Sequence, residues 1–491
     1  MISRTRLPVV PVSIGLVLVL RAVQFRNGGS PDEGGFLVVA GQWHSGSSLY
    51  GDYWVDRPPL LITLFRLADL LGGVPALRVL GALAAASTVA LLASSARRAF
   101  GPRAVAWTAL TAALLLATPL FRATDVNGEL LALPFIALGI RAAIEAVATT
   151  SVVRSRYAAL LAGAAAVGAL MVKQNMTDVA VFAAVAWIVS WRSGRLTGGL
   201  TARRLLELVG AAAVGAVACY AAVTGWAVLH GTSPYDVYDA TYPFRVKAAH
   251  VLAADPADTH RQFWVLMRSF ALTCTPFLAG AFLLRGLRNS ANRAVAWATL
   301  ALLGWAVTSI LVGGSYWLHY LIQAVPALAL GAGAVGMAAR RTAVVVTSLV
   351  ATSALIAVGV GTAFPSLQRG TVIGEAVGRS AHPGDTLSAL FGDAEIQRSS
   401  GMQSPYEYLW MLPAKTLDPD LRELDQVLRG AEAPTWIVAR RGESQDLLEQ
   451  HGVASTIAAR YREVAEFCGS AIYLRRGTER PTPANTTSCS G

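Results

Sequence analysis

From residue 8 to residue 363 the chain alternates long apolar runs with short polar breaks. The runs fall near 8–24, 76–95, 104–121, 130–147, 157–172, 179–191, 205–229, 263–284, 295–312, 318–338 and 342–363. A helix of roughly 20 apolar residues crosses a bilayer core, so the pattern predicts about eleven transmembrane helices. After about residue 365 the pattern changes. TLSALFG (386–392) and PTWIVAR (434–440) are short apolar runs with polar flanks, which predicts buried strands. LDPDLRELDQVLRGAE (417–432) between them has helical apolar spacing. The expected fold is an all-α polytopic membrane protein with a small C-terminal α/β domain. The expected division is a transmembrane domain over 1–364, a soluble α/β domain over 365–480, and a Pro/Thr/Ser-rich, disordered tail over 481–491.

Two further stretches are helical without reading as spans. Residues 58–73 (PPLLITLFRLADLLGG) are apolar but carry Arg66 and Asp69, which suits an amphipathic helix lying on the membrane. Residues 33–48 read as a second short helix of that kind. The first apolar run follows Arg4 and Arg6 and continues into Phe25–Arg26–Asn27 with no small-residue cleavage site, so it reads as a retained helix.

Composition sharpens this picture. The 491 residues are 54% hydrophobic and 14% charged, with mean hydropathy +0.49, against about 25% charged in soluble domains. A net charge of +11 would point to nucleic acid in a soluble chain. Here the arginines sit in short clusters between apolar runs, which excludes that reading: Arg4/Arg6, Arg97/Arg98/Arg103, Arg154/Arg156, Arg192/Arg195/Arg203/Arg204, Arg285/Arg288/Arg293 and Arg340/Arg341. All fall on one side of the predicted topology, and by the positive-inside rule that side and the N-terminus are cytoplasmic. The other side carries Asp32, Glu33, Asp52, Asp56, Asp125, Glu129, Asp178, Asp236 and Asp239. An odd number of spans then puts the C-terminal domain outside. The four cysteines have no zinc spacing; Cys219 and Cys274 fall in apolar runs, and a disulfide between Cys468 and Cys489 is left open.

The first outer loop concentrates candidate chemistry. Asp32 and Glu33 follow the first run directly, and Gly34–Gly35 next to them leaves room for substrate near the backbone. Pro58–Pro59 must start the following helix. Asp56 and Arg57 therefore sit at a helix N-terminus, where free N–H groups favour an anion and Arg can grip a phosphate. In the second outer loop Glu129 enters an apolar helix, while Asp125 or Asn127 could cap it. Lys173–Gln174 ends an apolar run, where a phosphate or sugar contact competes with simple snorkelling. SYWLHYLIQAVPAL (315–328) places His319 and Gln323 at i, i+4, on one face of a helix, with Tyr320 beside them. The loop 230–262 is rich in Tyr and Asp, which suits sugar binding or a flexible connector. No P-loop, GxSxG or HExxH is present.

Together these motifs carry a resemblance. DE after the first run, D-R-P-P-L-L at 56–61, N-G-E-L at 127–130, K-Q at 173–174 and H-Y-L-I-Q-A-V-P at 319–326 resemble the GT-C-fold glycosyltransferases. Among these the chain looks most like the bacterial family-39-like enzymes, which include aminoarabinose transferases. The resemblance implies an inverting hexosyl- or pentosyltransferase of the cell membrane. Its donor is a sugar on a polyprenyl or dolichyl phosphate, and its extracytoplasmic acceptor a glycan, lipid or protein. It implies Asp32 as base with Glu33 its neighbour, and donor contacts from Asp56 and Arg57, where relatives often have Lys. Glu129 stands where Asp is usual, and His319–Tyr320 matches a motif near donor or metal. No cofactor is fixed, and a divalent metal is left open. The competing class is a transporter or flippase for a lipid-linked or polar substrate, but the chain shows no internal repeat and its acids lie in outer loops rather than mid-span.

Overall fold

The computed structural model describes residues 8–25, 28–44, 46–197, 200–254, 256–365 and 368–484, apart from the side chains of 195–197, 256–258 and 443. Arg4, Arg6, Arg26, Asn27, Cys489 and the tail from 485 onward lie outside the described residues.

In chain order the helices are α1 (Val9–Ala22), α2 (Pro31–Gln42), α3 (Pro59–Leu70), α4 (Val74–Phe100), α5 (Ala104–Leu115), α6 (Gly128–Ala148), α7 (Val152–Val172) and α8 (Asp178–Thr197). Then come α9 (Ala202–Leu229), α10 (Pro234–Thr241), α11 (Pro243–Ala254), α12 (Pro256–Leu272), α13 (Thr275–Ala281), α14 (Arg293–Gly313), α15 (Val325–Ala338) and α16 (Arg340–Ala363). The C-terminal stretch holds α17 (Arg369–Ser380), α18 (Ala394–Ser400), α19 (Met411–Leu417), α20 (Arg422–Arg429), α21 (Glu443–Gln450) and α22 (Val453–Arg460). The chain packs as two compact units. One comprises Met1–Phe25, Arg78–Gly225 and Asp255–Ala363; the other comprises Arg26–Leu77, Trp226–Ala254 and Phe364–Gly491.

Among the described residues of the whole chain, seven helices are long and apolar enough to cross a membrane. They are α4, α6, α7, α9, α14, α16 and the continuous segment Leu318–Ala338. The other four expected spans coincide with helices outside this set. α1 and α5 have 14 and 12 residues, α8 has 20, and the α12–α13 pair is bent by 66°. The bend has a local cause: Cys274 is left-handed (φ 57°), and Pro276 removes an N–H from the next turn. In the first unit α7 and α9 approach until their backbones touch. A Cβ on Gly163 would lie 1.8 Å from the Ala212 carbonyl oxygen, and one on Gly215 1.9 Å from that of Leu160. Small residues permit such contact between apolar helices, where no hydrophobic effect separates helix from lipid.

The second unit contains a four-stranded sheet in the order β1-β2-β4-β3. β1 (Leu387–Leu390) and β2 (Trp436–Arg440) are the two runs predicted as strands, and they pair in parallel. A parallel pair needs a crossover, which α18, α19 and α20 supply. β3 (Tyr461–Phe467) and β4 (Ser470–Arg475) form an antiparallel hairpin, β4 beside β2. Along β2 the side chains alternate. Ile437 and Ala439 join a core with Leu421, Leu424 and Leu428, while Trp436 and Val438 join one with Ile373, Val377 and Ile396. Both faces of the sheet are covered, which explains the unbroken apolar runs. Cys468 is disulfide-bonded, whereas Cys219 and Cys274 are free.

Candidate active site

The predicted residues form two groups. Asp32, Glu33, Asp56 and Arg57 lie in the second unit; Glu129, Lys173, His319, Tyr320 and Gln323 lie in the first.

In the second unit α2 starts with a capping box. Ser30 Oγ accepts the Glu33 N–H (3.4 Å), and Glu33 Oε2 accepts the Ser30 N–H (2.8 Å). Glu33 is fully buried in this role. Asp32, one residue earlier, is half-buried, and its Oδ1 accepts the indole N–H of Trp410 at 3.2 Å. The expected space beside Gly34–Gly35 is filled by protein. A Cβ on Gly34 would come within 2.4 Å of Glu395 Cα, and one on Gly35 within 2.3 Å of the Trp410 ring. The glycines thus admit α18 and Trp410 rather than a substrate. Trp410 also packs on Phe36 (ring centroids 5.4 Å apart), and the Arg57 guanidinium lies over Phe36 at 5.4 Å. These contacts join the Asp32 end of α2 to the start of α3.

α3 starts as predicted, with Pro58 as N-cap and Pro59 at its first position. Since Pro59 has no N–H, the free donors of this first turn begin at Leu60. Arg57 Nη1 lies 2.5 Å from Asp56 Oδ1. A third partner, which the sequence reading did not single out, is Arg245 on α11, whose Nη2 lies 2.8 Å from Asp56 Oδ2. Burial alone would raise the Asp56 carboxyl, but Arg245 and Arg57 outweigh it and hold the group below its ordinary value. The three side chains keep 12–29% of their surface exposed. An incoming phosphate could therefore replace Asp56 as the guanidinium partner. α10 and α11 also correct the expectation of a loop at 230–262. Phe244 on α11 packs on Trp54 (4.4 Å), and Thr232 Oγ1 accepts the Leu49 N–H (2.7 Å), tying this segment to the first outer loop.

In the first unit the sequence placed Glu129 correctly at a helix start, and Asn127 is the cap: its Oδ1 accepts the Leu130 N–H at 3.0 Å. Lys173 does not snorkel. It forms an ion pair with Glu129 and sits 4.5 Å over the Tyr320 ring, with side chains 7% and 2% exposed for Lys173 and Glu129. His319 Nε2 is 3.7 Å from Glu129 Oε1. Gln323 does not share a face with His319. Residues Leu318–Ala324 form a 3₁₀ helix, and with three residues per turn the i+4 side chain points about 120° away. Gln323 Nε2 instead donates to Asp178 Oδ2 at 2.9 Å, so Asp178 is a buried hydrogen-bond partner rather than a loop acid.

The metal that the resemblance left open does not fit this donor set. A divalent cation needs several convergent oxygen or nitrogen ligands. Among the described residues no group of three His, Cys, Asp or Glu side chains converges, and Asp56 gives both oxygens to guanidinium groups.

With this geometry in hand, comparison with known proteins is informative at the level of fold. No family model matches the chain, and no curated protein sequence matches it. Solved structures do. The crystal structure of ArnT from Cupriavidus metallidurans bound to undecaprenyl phosphate superposes with TM-score 0.63 at 16% identity, covering 98% of each chain. Its apo state gives TM-score 0.63 at 16% identity, covering 94% of this chain and 97% of ArnT. An oligosaccharyltransferase of Archaeoglobus fulgidus, complexed with zinc and sulfate, gives TM-score 0.53 at 12% identity over 88% of this chain and 68% of its own. The fold is therefore that of the GT-C membrane glycosyltransferases, and the chain is a multi-pass membrane protein.

Proposed function

We propose that the protein is an integral-membrane glycosyltransferase that moves a sugar from a polyprenyl-phosphate carrier to an extracytoplasmic glycan, lipid or protein. The observation that carries this reading is the Arg57–Asp56–Arg245 group, two guanidinium groups on one carboxylate, in the same unit as the half-buried Asp32. The fold supports it, since ArnT of this fold is seen with undecaprenyl phosphate and an archaeal oligosaccharyltransferase with a dolichol phosphate. In this reading all eleven apolar segments span the membrane, the N-terminus is cytoplasmic, and residues 365–480 are extracytoplasmic.

The reaction follows from the residues. Asp32 takes the proton from an acceptor hydroxyl. The oxygen attacks the anomeric carbon from the face opposite the phosphate, so the new C–O bond forms with inversion. The bond from that carbon to the phosphate oxygen breaks, and its electron pair leaves on polyprenyl phosphate. Arg57 and Arg245 stabilise the added negative charge there. Asp56 holds the two guanidinium groups in place before the donor arrives. Trp410 orients the Asp32 carboxylate through Oδ1.

Asp32→Asn keeps the shape and removes the base, so turnover should fall by about a hundredfold or more. The measurement is release of polyprenyl phosphate from a lipid-linked sugar by protein reconstituted in vesicles, with Glu33→Gln in parallel. Near-normal release by Asp32→Asn removes the base assignment, and release abolished only by Glu33→Gln moves it one residue on.

A further inference from the structure

α10 and α11 are amphipathic in an unusual sense. Their covered face carries Val237, Ala240, Thr241, Phe244 and Ala248, all buried. The opposite face presents Tyr235, Tyr238, Tyr242 and Val246, which are 71%, 55%, 49% and 63% exposed. The spacing of three and four residues puts Tyr235, Tyr238 and Tyr242 on one stripe at α10 and its C-cap, and Val246 is exposed on α11. Four large, partly apolar side chains exposed on one helix pair need an explanation that a single exposed residue would not.

We propose that this tyrosine stripe rests in the headgroup layer of the membrane, so that a phospholipid surface is the partner of α10–α11. Three observations select lipid. α9 is an apolar helix of 28 residues, long enough to span, and α10 begins at Pro234 after four intervening residues. The chain therefore leaves α9 at the depth where headgroups begin. The last turn of α9 carries Trp226 and Leu229, 45% and 75% exposed. Tyr and Trp concentrate at that depth because their rings are apolar and their O–H and N–H groups are wet. Lys247 and His250, exposed on α11, add cations suited to anionic lipid. A sugar platform is the other use of such tyrosines, but sugar sites are concave, whereas this is the outer face of a helix pair with Tyr238 and Tyr242 rings 5.9 Å apart and tilted by 39°.

The anchor has a consequence for the cationic site. α11 carries Arg245 to Asp56 and Phe244 to Trp54, so a helix held at the lipid surface places that guanidinium at the depth of a lipid-borne phosphate. The surface assignment itself does not depend on the transferase reading.

The test uses the full chain in vesicles of phosphatidylethanolamine and phosphatidylglycerol doped with a phospholipid that carries a photoactivatable diazirine close to its headgroup. After irradiation, peptides covering 233–250 should be labelled well above the soluble helix α20. The triple variant Tyr235→Ser/Tyr238→Ser/Tyr242→Ser should lose most of that label while labelling of α16 stays unchanged, which shows that the variant is folded and inserted. Labelling of 233–250 in the wild type no greater than that of α20 overturns the proposal. So does protection of these tyrosines from iodination by a soluble oligosaccharide without lipid labelling, which would make the stripe a glycan platform.

Discussion

The group around Asp56 and the group around Glu129 are both clusters of opposite charge, and they differ in two ways that decide what each can do. Asp56 is shared by two arginines and the group keeps contact with solvent, with Arg245 29% exposed. Glu129 and Lys173 balance each other and are almost fully buried, with His319 and Tyr320 closing around them. Two guanidinium groups that share one carboxylate and keep contact with solvent can trade that carboxylate for a ligand. A balanced, buried pair cannot open without leaving a desolvated charge. The motifs alone ranked all of these residues together as ligand candidates. In the reading proposed here, the solvent-touching group around Asp56 is the anion site, and the Glu129–Lys173 pair is an internal tie between α6 and the turn after α7.

The largest effect that tests this contrast is in the tie. Glu129→Gln and Lys173→Met each remove one side of the buried ion pair. Each single change should cost on the order of 3–5 kcal/mol of stability, the range for breaking a buried ion pair, and the double variant should recover much of it. Thermal unfolding of the purified protein in detergent reads this. Full stability of Glu129→Gln with donor affinity lost would instead make Glu129 a ligand group, and the contrast would fail.

A smaller effect belongs to Glu33. Glu33→Gln can keep the capping contact, whereas Glu33→Ala removes it and should cost about 1 kcal/mol. Neither should change turnover per folded molecule. The smallest effect is one of pH. The Asp56 carboxyl is held below its ordinary value of 3.8, by Arg245 and Arg57 against the opposing effect of burial. A carboxyl lowered in this way contributes stability that is fully present above its unfolded value and lost only as pH falls through the lower folded value. Between pH 5 and 8 this group should therefore produce no change in stability. A midpoint inside that window that disappears in Asp56→Asn would show that Asp56 is not paired as described.

The same contrast shows what could be read from the chain. Periodicity found the seven helices long and apolar enough to span among the described residues, and Pro58–Pro59 found the start of α3, because proline's missing N–H allows few other places. The apolar runs of β1 and β2 were legible because both faces of that sheet are buried. Ser30-x-x-Glu33 is a capping-box pattern, which marks a structural role for Glu33 even though two adjacent acids beside a membrane also fit chemistry. Other features had no local signal. Arg245 reaches Asp56 only because α10 and α11 fold back onto the first outer loop, and Gly34–Gly35 looked like open space because Glu395 and Trp410 come from far along the chain. The turn from α-helical to 3₁₀ geometry at 318–324, which sends Gln323 to Asp178, depends on packing that spacing does not encode.

The central claim is that Arg57 and Arg245 together hold a lipid-borne phosphate. Titration of undecaprenyl phosphate onto the purified protein tests it directly, with Arg57→Ala, Arg245→Ala and Arg57→Lys measured alongside the wild type. Hydrogen bonds to charged groups contribute roughly 1.5–3 kcal/mol, so each alanine variant should bind about 10- to 100-fold more weakly. Arg57→Lys should fall between, because it keeps the charge and loses the fork. Equal affinity in the wild type and in both alanine variants would contradict the account.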